Sequence, residues 1–109
     1  MELNGAVQLG ADGFLARPED WDAAIALRLA AEEGIELGDA HWEIVHFLRD
    51  YFLRFRHVPA NLRLFVTAVK NGLGAEQGTS RHLYRLFPKG PLRQACRIAG
   101  LPKPPHCLG

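Results

Sequence analysis

Apolar residues recur along this chain with two different periods, and the change of period divides it into elements. Between residues 4 and 16, Val7 and Leu9 alternate with small or polar neighbours, Ala11-Asp12-Gly13 supplies a turn, and Phe14-Leu15 returns. That pattern predicts a small β-hairpin. From Pro18 the period lengthens to that of a helix. Pro18 suits a first helical turn, and Glu19, Asp20 and Asp22 favour its positive end. Trp21, Ala24, Ile25 and Leu29 form the buried stripe, and Gly34 closes the helix.

Asp39 is a plausible N-cap for a second helix, in which the segment HWEIVHFLRDYFLRF, residues 41–55, carries apolar side chains on most faces. Ile44, Val45, Phe47, Leu48, Tyr51, Phe52 and Phe55 cannot all face one neighbour, so this helix is expected at the centre of the fold. A third helix is predicted over 61–71, with Leu62, Phe65, Val66 and Val69 on one face. After the loop GLGAEQG a short fourth helix starts near Thr79-Ser80 and ends before Pro88, and Pro91 starts a fifth that runs to Ala99 and is closed by Gly100. The fold class is mostly α: about five helices, a small N-terminal β-hairpin and no internal repeat.

With 109 residues, 48% of them hydrophobic, the chain can build one globular core and no more. No apolar run reaches the roughly 20 residues needed to span a bilayer, and MELNGAVQLG lacks the features of a signal peptide. A cytoplasmic protein without membrane insertion is expected. Net charge is +1, yet residues 1–53 hold three cations and eleven carboxylates, while residues 54–109 hold ten cations and only Glu76. Either the basic half meets an anionic partner, or the two halves pack together and neutralise each other.

Most catalytic classes find no footing. His41 and His46 are five apart, whereas a helical metal pair wants i, i+4; no metal and no cofactor is expected. There is no G-x-S-x-G and no glycine-rich phosphate loop. Helices three and four resemble a helix-turn-helix, in which Arg81 and Arg85 would enter a major groove with Lys70 and Lys89 on phosphates. A DNA-binding regulator is therefore one alternative, although nucleic acid is not the favoured partner. Two cysteines remain. Leu92, Ala95, Cys96 and Ala99 follow helical spacing, which makes Cys96 a small apolar residue at the edge of the core. Cys107 has no such pattern around it. Lys103 and His106 favour its thiolate, and Pro102, Pro104 and Pro105 stiffen the segment that carries it. The eleven steps between the cysteines could extend roughly 35 Å, or fold back to the roughly 5–6 Å Cα separation of a disulfide.

The stretch TSRHLYRLFPKGPLRQACRIAGLPKPPHC, residues 79–107, resembles the C-terminal signature of the DsrC/TusE family, through the pattern LYxLFPxGPxxQAxxxAGLPKPxxC. HWEIVHFLRDYF resembles the family's central helix, and the likeness covers essentially the whole chain. It implies a single helical domain over 1–99, a flexible arm over 100–109, and sulfur carried as a persulfide on Cys107. The family divides on a second cysteine eleven residues before the first. Cys96 occupies that place, which implies a DsrC-type carrier whose two cysteines bracket sulfur in dissimilatory metabolism. Its implied partners are a sulfite reductase or sulfur-transfer proteins, with reduction at a membrane-bound complex. The TusE branch implies instead a relay for tRNA 2-thiouridine synthesis that uses Cys107 alone. Either way the protein is more a co-substrate than an independent enzyme, and Arg81, Arg85, Lys89, Arg93 and Lys103 would meet the partner or anionic sulfur. One departure from the family is that Leu108-Gly109 follow Cys107, where arms commonly end one residue beyond the cysteine.

Overall fold

A computed structural model of the chain describes residues 2–3 and 7–105. Five helices account for nearly all of its regular structure: α1 (Ala23–Glu32), α2 (Asp39–Phe55), α3 (Leu62–Leu73), α4 (Ser80–Leu86) and α5 (Pro91–Ile98). Strand content is slight. β1 (Glu2–Leu3) pairs antiparallel with β2 (Val7–Gln8), Leu3 opposite Val7. The hairpin expected around Asp12-Gly13 shrinks to one bridge, Leu9 with Leu15. Two backbone bonds make that bridge, Gly10 N–H to Phe14 O at 2.7 Å and Ala16 N–H to Gln8 O at 3.0 Å, while Asp12 Oδ1 accepts from the Phe14 N–H at 2.9 Å, taking a donor that a longer ladder would use. The turn serves the core instead, burying Leu9, Phe14 and Leu15.

Helices α1, α3 and α4 begin where a local side chain accepts from one of their unpaired N–H groups, whereas α2 and α5 begin at glycines. Pro18 does not open α1, as its position suggested; it opens a single 3-10 turn, Pro18–Asp20. Asp22 then adopts an extended backbone and caps α1, accepting from the Ile25 N–H at 2.9 Å. This leaves Trp21 outside the helix. Gly38, not Asp39, is the N-cap of α2, and His41 Nδ1 accepts from its N–H at 3.1 Å. Asn61 caps α3 and Thr79 caps α4, accepting at 2.9 and 3.1 Å. Joined by residues 74–79, α3 and α4 pack against one another in the helix-turn-helix-like order that the sequence implied.

The centre is α5, not α2. Along α2 only Ile44, Val45 and Leu48 are fully enclosed, and Leu53 and Phe55 stand 64% and 49% exposed. The aromatic residues that made α2 look buried on all sides cluster at its surface end, with the Tyr51 and Phe55 rings 4.7 Å apart. By contrast α5 buries Leu92, Gln94, Ala95, Cys96 and Ile98, and it packs against all four other helices. Small side chains permit this: Ala95, Cys96 and Ala99 let neighbouring helices approach closely on several sides.

Candidate functional site

The segment that carries the recognisable motif is fixed at both ends of α5. At its start, the fully buried Gln94 accepts from the Lys89 N–H at 2.9 Å and donates to Glu33 Oε1 at 3.0 Å. Arg93 grips the same carboxylate with both terminal nitrogens, at 3.2 and 3.0 Å. Arg97 adds a 2.8 Å bond to Glu33 Oε2, a 2.7 Å bond to Glu32 and a 3.0 Å bond to the Gly13 carbonyl. Burial pushes the Glu33 carboxyl upward, but the hydrogen bonds from Arg93, Gln94 and Arg97 outweigh it and hold the group at about 2. Burial likewise opposes the charge on Arg97, and Glu32 and Glu33 overcome it, raising its value. Acidic and basic halves of the sequence meet at Glu33 and its neighbour Glu32.

At its end, α5 closes in a Schellman motif. The Leu101 N–H donates to the Cys96 carbonyl at 3.0 Å and the Gly100 N–H to the Arg97 carbonyl at 3.1 Å, with Gly100 at φ +71°. Two side chains from distant segments take the next carbonyls. Trp21 Nε1 donates to Ile98 O at 2.8 Å, and Arg49 Nη1 donates to Ala99 O at 2.8 Å. Arg49 also reaches the Pro18 carbonyl at 3.2 Å and lies 4.3 Å above the Trp21 ring, a cation–π contact. Burial pulls the Arg49 guanidinium below its usual value.

The expected site residues scatter around this frame. Cys96 lies on the inner face of α5 with no exposed surface. Cys107, together with His106, lies outside the described residues. Arg81 and Arg85 are exposed on α4, and Lys89 is exposed in the turn before α5. Arg93 is engaged by Glu33. Lys103 is exposed at the root of the tail, where Leu101 and Pro104 are buried, so the core takes in the first residues of the expected arm. Beside it a groove of about 400 Å³ is lined by Phe52, Arg56, His57, Val58, Lys103 and Pro105, among others. Sequence reasoning missed Arg56 and His57 here, and also Glu33, Trp21 and Arg49. Only Glu33 left a signal, in the surplus of carboxylates that the basic half had to answer.

A small helical domain with a proline-rich tail rooted on its most buried helix is the class that this geometry defines. The DsrC like protein family model matches residues 3–108, and the chain belongs to that family. It is 47% identical to the sulfurtransferase TusE of Sodalis glossinidius over 99% of this chain and 100% of that protein. Among solved structures it is similar to Allochromatium vinosum DsrC, with a TM-score of 0.85 at 39% identity, covering 99% of this chain and 96% of the other. The oxidised dissimilatory sulfite reductase gamma-subunit of Archaeoglobus fulgidus is similar with a TM-score of 0.79 at 39% identity, covering 99% and 98%.

Proposed function

We propose that the protein is a sulfur relay of the TusE type, a cytoplasmic carrier that uses Cys107 alone and passes sulfur between transfer proteins toward tRNA thiolation. The observation that carries this reading is the 47% identity to a sulfurtransferase TusE along the whole length of both chains. Burial of Cys96 supports it, because a thiol with no exposed surface is reached only when α5 opens. The two-cysteine carrier, which the resemblance to the family implied through the place of Cys96, thereby becomes the second reading. In each transfer the Cys107 thiolate attacks the outer sulfur of a donor persulfide. A Cys107–sulfur bond forms, the donor's S–S bond breaks, and its electron pair leaves on the donor thiolate. An acceptor thiolate then attacks the outer sulfur of Cys107 in the same way, and no net oxidation occurs. Lys103, the exposed cations of α4 and Lys89 would assist docking on acidic partners.

Intact-mass measurement after incubation with glutathione persulfide tests the proposal. One added sulfur is expected on the wild type and on Cys96→Ala, and none on Cys107→Ser. Retention of the added sulfur by Cys107→Ser would sink it. The DsrC-type alternative is kept by the presence of Cys96 eleven residues before Cys107. It predicts that diamide, taking two electrons and two protons from the thiols, forms an intramolecular disulfide in the folded wild type.

A further inference from the structure

The last carbonyls of a helix have no partner within it and are usually left to water. At the end of α5 none is. Backbone N–H groups of Gly100 and Leu101 take Arg97 O and Cys96 O, while Trp21 and Arg49 take Ile98 O and Ala99 O at 2.8 Å each. Both side chains come from far away in sequence, one before α1 and one on α2. The cation of Arg49 also sits where the helix dipole favours it. Gly100 completes the arrangement: a Cβ there would fall 2.8 Å from Trp21 Cγ and closer still to Cδ1. The backbone therefore leaves α5 pressed against an indole, between two side-chain donors.

We propose that Trp21 and Arg49 are positioning residues for the tail, fixing the direction in which the chain leaves α5 on its way to Cys107. The consequence for sulfur transfer rests on the proposed role of Cys107; the orientation itself does not. Direction matters because residues 101–105 hold three prolines. Pro102, Pro104 and Pro105 each fix φ, and extended proline-rich chain advances about 3.1 Å per residue. A rotation of ~10° at Gly100 would then move Pro105, five residues on, by up to about 3 Å. Misplacement of a reacting group by about 1 Å can cost a hundredfold in rate. Two hydrogen bonds at the root thus act on chemistry performed at the tip.

The test measures orientation directly. Spin labels on Arg28→Cys and Lys103→Cys, both exposed positions, are placed in a Cys96→Ala/Cys107→Ser chain, and their distance distribution is recorded by pulsed EPR. One narrow distribution is expected. Trp21→Phe, which keeps the ring and removes the N–H, and Arg49→Met should each shift or broaden it by about 1.6 Å, the displacement of Lys103, three residues on, for the same ~10° rotation. Arg49→Lys, which keeps a donor and the charge, should restore most of the original. Asp22→Ala, which removes the α1 cap, serves as a control for lost stability alone and should leave the distribution narrow. An unchanged distribution in folded Trp21→Phe would overturn the proposal, as would equal broadening in Asp22→Ala. If Arg49→Met does not fold, Trp21→Phe decides. Persulfide loading of unlabelled Trp21→Phe is measured alongside and should match the wild type with this small donor. Failure of the wild type itself to load would refute the sulfur-relay reading and leave the distance result to judge the positioning residues.

Discussion

Glu33 has a side chain only 9% exposed, and two guanidinium groups and a buried amide converge on its carboxylate. Glu33→Gln removes the charge and one of the two acceptor oxygens and turns an amide NH2 toward the donors of Arg93, Gln94 and Arg97, so it should lower unfolding stability by about 3 kcal/mol, the scale of a broken buried pair. The same group sets an acid limit. Its folded value of about 2 lies below the ordinary 4.5, so the unfolded chain binds the proton more tightly. Its stabilisation is complete above about pH 4.5 and is lost as pH falls toward 2. Chemical denaturation across that window should show stability falling in the wild type and a visibly flatter profile in Glu33→Gln. At Gly100, an alanine must adopt φ +71° and push aside Trp21. Gly100→Ala should cost about 2 kcal/mol or more, read as a lowered thermal midpoint.

An element as enclosed as α5 opens only when most of the protein opens with it, which gives Cys96 a kinetic signature. In Cys107→Ser the remaining thiol should react with iodoacetamide far more slowly than in the unfolded chain. Its rate should rise with urea with a slope near that of global unfolding. A fast, urea-independent reaction would show that α5 frays locally and would favour a working second thiol. Cys96→Ala should cost of order 1 kcal/mol, one buried sulfur's packing. How legible all this was differed by element. Helix identities followed from apolar spacing, whereas Asn61, expected as the first residue of the third helix, proves to be its cap, and Thr79 caps the fourth. The start of α1 was misjudged because Pro18 and Asp22 both suit a helix beginning, and only the Asp22 side chain finds an N–H to accept from. The rank of α2 over α5 was misjudged for a different reason. Large aromatic residues dominate any reading of hydrophobicity, whereas α5 owes its central place to small residues and a satisfied glutamine. The donors at the end of α5 left no trace in local sequence, since Trp21 and Arg49 act on residues 77 and 50 positions away.

For the molecule as a whole, charge segregation along the chain becomes partial neutralisation in space. Of the ten cations in residues 54–109, Arg93 and Arg97 are committed to Glu32 and Glu33. The others include Arg81 and Arg85 on α4, Arg56 and Lys103 beside the tail groove, and Arg63 on α3, all exposed. These cations lie on several elements and are not gathered into one recognition helix. Helix α4 has seven residues and gives Leu83 and Leu86 to the core, so Arg81, Tyr84 and Arg85 are nearly all it could offer to base edges. Such a surface attracts polyanions through phosphate charge alone, with a steep dependence on salt. A labelled DNA duplex should therefore be bound at low salt and displaced equally by an unlabelled duplex of unrelated sequence. At physiological salt its affinity should be weaker than about 1 µM, the range of non-specific contacts. Arg81→Ala/Arg85→Ala should weaken that binding uniformly across sequences while leaving sulfur loading of Cys107 untouched. A salt-resistant complex that discriminates between sequences would instead restore the DNA-binding regulator. It would also require α4 to read bases with three side chains, a demand that the double substitution tests in the same titration.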